Sequence, residues 1–152
     1  MSNLAPVNFL IIEDNQDHAD LMISSLQEFN IKNEISHVLD GEAALAFLNN
    51  EPPYADSSEH SIPHLILLDI RMPKMDGISL LKIIKENDNF KHIPVIMVST
   101  SKLESEIENC YRLGANGFVS KPLQFSEFTR KIKELNHYWV LTAEVPKLDK
   151  GT

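Results

Sequence analysis

This 152-residue chain is predicted to fold as an α/β domain, an open parallel sheet with helices wound on both faces. Three observations predict it. Short apolar runs rich in β-forming residues alternate five times with segments whose apolar residues recur at helical spacing. Two of the runs, Leu65-Ile66-Leu67-Leu68 and Ile93 to Val98, are apolar without alternation, as strands covered on both faces are. Four runs end on charged or hydroxyl side chains, and in such sheets ligands and chemistry gather at the carboxyl ends of the strands.

The first strand is Val7 to Ile12, and it stops at Glu13-Asp14. From Asp17 to Phe29, the residues Ala19, Met22, Ile23, Leu26 and Phe29 form one apolar helical stripe. Glu34 to Val38 is a weaker strand, and Asp40 is placed to cap a helix that turns Ala44, Phe47 and Leu48 inward. Residues 49–64, with Pro52, Pro53 and Pro63, show no period and exceed the two to six residues usual for such a connection. The strand Leu65 to Leu68 runs into Asp69, and Asp76-Gly77 opens a helix to Glu86 with Ile78, Leu81 and Ile84 inward. The strand Ile93 to Val98 ends in Ser99-Thr100-Ser101. Ser101 and Glu104 have capping-box spacing, so a helix is expected to start there and to stop at Gly114. Cys110 falls in its apolar pattern with Leu103 and Ile107 and reads as a core residue. Phe118-Val119 is a fifth strand, followed by Ser120-Lys121-Pro122, and a last helix places Phe125, Phe128, Ile132 and Leu135 on one stripe.

Composition narrows the function. At 43% hydrophobic and 24% charged residues the chain is ordinary for a globular domain long enough to bury a core. A formal net charge of -8 argues against nucleic-acid binding and against an acidic membrane surface. The single cysteine excludes a disulfide within the chain. No apolar run approaches the ~20 residues that span a bilayer, and Met1 to Ile12 lacks the charged start and cleavage site of a signal peptide, so a cytoplasmic location is expected. There is no Gly-x-Gly-x-x-Gly and no P-loop, which removes sequence support for dinucleotide or P-loop phosphate binding.

What remains is the set of strand ends: Glu13 and Asp14, Asp69, Ser99 with Thr100, and Lys121. With Met72-Pro73, Asp76-Gly77 and Pro122 in their order and spacing, these residues resemble the signature of two-component response-regulator receiver domains over roughly Val7 to Leu135. The resemblance implies a flavodoxin-like (βα)5 sheet ordered 2-1-3-4-5, in which these ends converge on one crevice. Carboxylates about 5 Å apart repel by roughly 3 kcal/mol per pair at an effective dielectric near 20. Three such pairs would rival a domain's whole stability of about 5–15 kcal/mol, so a cation is required. A hard divalent ion with oxygen ligands fits, Mg²⁺ best.

By resemblance, Asp14, Asp69 and the Arg71 backbone carbonyl ligate Mg²⁺, with Glu13 acting through a bound water. Asp69 is the phosphoacceptor, taking a phosphoryl group from a phosphohistidine of a sensor histidine kinase. Lys121 and Ser99 contact that group, and Ser99 with Phe118 forms the switch. The chain is then a phosphoacceptor signalling protein with only weak self-dephosphorylation, not an enzyme in the ordinary sense. Thr100 and Arg71 stand where they bear on the access of water to the phosphoryl group. The Lys121-Pro122 bond is expected to be cis.

Residues 1–136 are expected to be the receiver domain and residues 137–152 a C-terminal extension with no output domain. The extension begins His137-Tyr138-Trp139-Val140-Leu141, which folds back over the core or extends a homodimer surface made of the fourth helix, fifth strand and fifth helix. Together with the 49–64 loop it resembles stand-alone receivers that serve phytochrome-type and other hybrid kinases. Three rival readings each need a feature that this chain lacks or should have lost. A receiver-like module that binds without phosphorylation should have lost one of these residues. A phosphohydrolase of the haloacid-dehalogenase type needs a second Asp where Arg71 stands. A flavin-binding protein needs a hydroxyl-rich phosphate loop where this chain has Glu13-Asp14.

Overall fold

A computed structural model describes residues 8–29, 34–52 and 62–121, and beyond them Ser126, Glu127, Arg130 and Glu134 of a further helical stretch. Among the described residues five strands and four helices alternate: β1 Asn8–Ile12, α1 Gln16–Phe29, β2 Glu34–Val38, α2 Gly41–Leu48, β3 Leu65–Leu68, α3 Gly77–Glu86, β4 Val95–Ser99, α4 Glu104–Arg112 and β5 Gly117–Ser120. All neighbouring strands are parallel, in the order β2-β1-β3-β4-β5. The flavodoxin-like strand order that the resemblance implies is the one found.

The strands pair because their residues are apolar toward both faces. In β1, Leu10 and Ile12 join one cluster with Ile66, Leu68, Leu80, Leu81, Ile84, Met97 and Cys110. Phe9 and Ile11 join the other, with Met22 and Leu26 of α1 and with Leu65, Leu67, Ile96 and Val98. A period of two thus feeds two cores from each strand. The order reverses direction at β1, so the crevice between β1 and β3 is a topological switch point.

Local chemistry sets the helix starts. Asp40 accepts the Ala43 N–H at 2.8 Å and Asp76 the Ser79 N–H at 2.8 Å, so both act as N-caps. Gly114 takes the left-handed conformation past the end of α4, at φ 111°. Gly77 is required for a different reason. A Cβ there would stand 1.9 Å from the Asp69 carbonyl oxygen, because the start of α3 presses on the end of β3. The Gly77 N–H donates to the Ile70 carbonyl at 2.7 Å across the same contact.

Several expectations are corrected. The Ser101-Glu104 capping box does not form: α4 starts at Glu104 with Leu103 as its cap, whose side chain makes no capping hydrogen bond, and Ser101 Oγ accepts only the Leu103 N–H there, at 3.4 Å. The Ser101 hydroxyl instead donates to the Glu106 carboxylate. Leu103 is 57% exposed, whereas Cys110 is fully buried as expected. Ile78 packs on the core as expected but is only half-buried, while Leu80 is fully buried beside Leu81 and Ile84. Phe47 is likewise half-buried beside the buried Ala44 and Leu48. Strand β4 begins two residues later than the apolar run, at Val95, and β5 extends to Gly117 and Ser120. The stripe Phe125, Phe128, Ile132 and Leu135, the Phe29 side chain, the Lys121-Pro122 bond, most of the 49–64 loop and the 137–152 tail lie outside the described residues.

Candidate functional site

The strand-end residues are held by the sheet itself. The Glu13 N–H donates to Val38 O at 3.1 Å, the Asp69 N–H to Ile12 O at 3.1 Å, and the Lys121 N–H to Ser99 O at 2.8 Å. Each ladder therefore runs one residue past its strand, and the side chains leave it at fixed positions. The carboxylates of Glu13, Asp14 and Asp69 each place an oxygen within 4.8 Å of the others. Lys121, whose Cα belongs to the far side of β4, reaches into the same space.

The two adjacent acids of β1 have different surroundings. Glu13 is fully buried, and both of its oxygens are committed. Oε1 accepts from Lys121 Nζ at 2.5 Å and Oε2 from the Asn15 N–H at 3.1 Å. Asp14 is exposed, and its carboxylate has no hydrogen bond or ion pair among the described residues. The His37 ring lies under this end of β1, its Nε2 donating to the Glu13 carbonyl at 2.8 Å. Burial pushes the Glu13 carboxyl up to about 7, with the Asp69 charge adding to it, although Lys121 and the Asn15 N–H pull the other way.

Asp69 is 7% exposed. Its Oδ1 accepts the Ile70 N–H at 2.7 Å, and its Oδ2 lies 3.2 Å from Lys121 Nζ. The Lys121 ammonium thus faces Glu13 and Asp69, and its third acceptor is one that sequence reasoning missed. His18 Nδ1 lies 3.0 Å from Nζ. An ammonium can only donate, so Nδ1 must carry the lone pair and the ring proton sits on Nε2. Burial, and then the Lys121 charge, lower the His18 pKa and favour that neutral form. Local structure aims His18: Asn15 Oδ1 accepts the His18 N–H at 3.0 Å, as an N-cap does, and this fixes the first turn of α1 beside Asp14. The only hint in the sequence is spacing, since His18 stands one helical turn past Asp14 at the start of a predicted helix.

Ser99 is fully buried at the end of β4, and its Oγ accepts the Ser101 N–H at 3.2 Å, which leaves its own proton available to donate. Thr100 is exposed. Phe118 is half-buried, registered with Met97 and packed on the larger core. The Arg71 side chain turns to α4 and donates to both Glu106 oxygens, at 3.0 and 3.2 Å. Its backbone carbonyl has no hydrogen bond among the described residues. Beside Asp69 a groove of about 530 Å³ opens to solvent, lined by Asp14, Ile70, Arg71, Met72, Asp76 and Glu106 among others.

The site therefore carries three carboxylates against one ammonium. That excess of oxygen donors, with Asp14 exposed and uncommitted, fits a hard divalent cation. One buried carboxylate, Asp69, stands next to a cation, with a buried hydroxyl, Ser99, at the end of the neighbouring strand, an arrangement suited to receiving an anionic group.

Comparison with known proteins points the same way. The family profile described as "Response regulator receiver domain" matches residues 9–133. The chain is 32% identical to Response regulator Rcp1 of Synechocystis sp., covering 93% of this chain and 94% of that protein. It is also 32% identical to a probable methanogenesis regulatory protein, FilR2, of Methanothrix harundinacea, over 89% of this chain and 84% of that one. Among solved structures, the phosphorylated cyanobacterial phytochrome response regulator RcpA superposes with a TM-score of 0.87 at 34% identity, covering 94% of this chain and all of that one. The Mn(2+)-bound form of Rcp1 superposes with a TM-score of 0.85, at 32% identity over 93% of this chain and all of that one.

Proposed function

This chain belongs to the response regulator receiver family, and from that premise we propose that it takes a phosphoryl group from a sensor histidine kinase onto Asp69. The observation that carries the reading is the Asp69 environment: a buried strand-end carboxylate with Lys121 Nζ at 3.2 Å, beside Asp14 and Glu13. An Asp69 carboxylate oxygen attacks the phosphorus of the kinase phosphohistidine. A P–O bond forms, the P–N bond breaks, and the electron pair leaves with the kinase imidazole. Later a water attacks the same phosphorus, the bond to Asp69 breaks, and inorganic phosphate departs.

Such transfer needs in-line positioning and charge neutralisation more than acid–base chemistry. Lys121 neutralises one developing oxygen charge and the Ser99 hydroxyl donates to another. Asp14, Asp69 and the Arg71 carbonyl would hold Mg²⁺, with Glu13, whose oxygens are already committed, acting through water. Bound there, the ion neutralises the phosphoryl oxygens as they approach the carboxylates. The Mn(2+)-bound form of Rcp1 supports a divalent ion in this crevice.

Once the phosphoryl group is in place, the Ser99 hydroxyl moves toward it and the Phe118 ring turns into the space left. The surface of α4 and β5 then changes, and with it the docking of a partner or of a second copy of the chain. Leu103, which caps α4, and Tyr111 on it are exposed and belong to that surface. The likeness to RcpA and Rcp1 over nearly the whole chain supports a phytochrome-type kinase as the donor.

The test is intact mass after incubation with acetyl phosphate, with and without Mg²⁺, on the wild type and Asp69→Asn. One phosphoryl group is expected on the wild type, dependent on Mg²⁺ and absent from the variant. No incorporation, repeated with a phosphorylated kinase as donor, would instead make this a module that acts by binding alone.

A further inference from the structure

We propose that His18 is a positioning residue for Lys121, the neutral leg of a three-legged mount that holds the ammonium ready for the incoming phosphoryl group. The inference rests on the reading of Asp69 as phosphoacceptor and adds to it a residue from α1. An ammonium has three N–H donors, and here three acceptors meet them: Glu13 Oε1 at 2.5 Å, His18 Nδ1 at 3.0 Å and Asp69 Oδ2 at 3.2 Å. The legs are not equivalent. Glu13 is fully buried and is itself clamped by the Asn15 N–H, so it cannot follow a moving ammonium. The longest contact is the one to Asp69, the group that is to be modified.

A phosphoryl group arriving on Asp69 presents new oxygens where Oδ2 was the acceptor. The third N–H can pass to one of them while the bonds to Glu13 and His18 stay as they are. The ammonium then needs only to redirect one N–H. Groups already aimed at developing charge are worth more than groups that must be collected from solvent.

Two features of His18 suit it to this place. As a neutral acceptor it orients Lys121 without adding a fourth negative charge to a crevice that already has three carboxylates. Its backbone is fixed by Asn15, whose own N–H holds Glu13, so Asn15 sets both permanent legs at once. The charge of the ammonium and the aim of the ammonium thus come from different side chains. Glu13 balances the charge, and His18 defines the direction.

Two substitutions separate aim from bulk. In His18→Asn the Oδ1 atom hangs from Cγ as Nδ1 does, so the acceptor is kept with less ring. In His18→Leu the volume is largely kept and the acceptor is lost. His18 is partly exposed on a helix, and both residues are tolerated there. The initial rate of Mg²⁺-dependent incorporation from acetyl phosphate should fall about tenfold in His18→Leu, the scale of one hydrogen bond to a charged group. It should return to within about threefold of the wild type in His18→Asn. Equal rates in His18→Leu and the wild type, or equal loss in both variants, would overturn the proposal.

A second readout does not depend on phosphorylation. The Lys121 side-chain NH₃⁺ signal of ¹⁵N-lysine-labelled protein should be protected from exchange in the wild type and in His18→Asn. It should be lost to solvent exchange in His18→Leu. Equal protection in all three proteins would count against the mount even if Asp69 is phosphorylated. Protection that follows the acceptor, in a wild type that takes no phosphoryl group, would uphold the mount and sink the phosphoacceptor reading instead.

Discussion

Two lysines are drawn into the body of this domain at opposite ends of the sheet, and their neighbours differ in kind. Lys121, at the carboxyl ends of the strands, meets Glu13, His18 and Asp69. Lys85, at the end of α3 beside the entry of β4, donates to the Ile93 carbonyl at 2.8 Å, Asn116 Oδ1 at 3.1 Å and the Lys91 carbonyl at 3.2 Å. Those partners are neutral and already bound into the frame, since Asn116 Oδ1 also accepts the Val95 N–H at 2.9 Å. Only burial acts on Lys85, lowering its pKa. The entry end is a structural knot in which the Lys85 ammonium meets three fixed acceptors. The carboxyl end is left with more negative charge than its one lysine balances. A structural cation is recognised by neutral, committed partners, and a functional one by titratable partners in excess.

The largest expected effect that sharpens this contrast is at Lys121. Lys121→Met leaves Glu13 buried without its cation, and breaking such a pair should cost about 3–5 kcal/mol. Urea denaturation at pH 8 should show the full loss, and at pH 5, where Glu13 can take a proton, a much smaller one. Gly77→Ala tests how tightly the crevice is tied to the fold. A Cβ placed 1.9 Å from the Asp69 carbonyl must displace backbone, so stability should fall by about 3 kcal/mol, and phosphoryl incorporation should fall with it.

The pH dependence of the metal-free protein tests the same end without a mutation there. The folded Glu13 pKa, about 7, lies above its ordinary value of 4.5, so the folded state holds a proton that the unfolded chain has released. The associated stability is complete below pH 4.5 and is lost as pH rises toward and through 7, by about 2–3 kcal/mol. Urea midpoints at pH 5 and pH 8 should show this slope, and Glu13→Gln should flatten it. Lys85→Met should cost less, about 1–2 kcal/mol, because a half-buried cation gives up neutral partners. It should leave phosphoryl incorporation unchanged. If Lys85→Met slowed incorporation as strongly as Lys121→Met, the division of the domain into two ends would fail. The smallest effect is expected at the surface pair of Arg71 and Glu106, whose arginine is 64% exposed. Arg71→Ala should change stability by under about 0.5 kcal/mol, and the thermal midpoint should barely move.

Much of this was legible before folding. Uninterrupted apolar runs marked strands covered on both faces, and the residues that stop them marked the crevice. Asp40 and Asp76 announced two helix starts, because a cap bonds an N–H only three residues away. These are local properties, and the sequence carries them in the order in which the chain uses them.

Where the local reading failed, a distant partner had intervened. Ser101 has capping-box spacing to Glu104, but the Glu106 carboxylate, itself held by Arg71 from another loop, takes its hydroxyl. Glu13 and Asp14 are neighbours of one chemical type. Only the packing of Lys121 over the end of β1 decides that one is buried and clamped while the other faces solvent. His18 lies 103 residues from the lysine it meets, and its spacing of one helical turn past Asp14 hints at the crevice but not at Lys121. The sequence alone determined the five strands, their apolar faces and the kinds of side chain at their ends, because periodicity and local capping act within a few residues. Tertiary structure decided which acid is buried, which hydroxyl is taken and which groups hold the lysine. Those contacts join residues brought together by the sheet order, so they exist only once the sheet has closed.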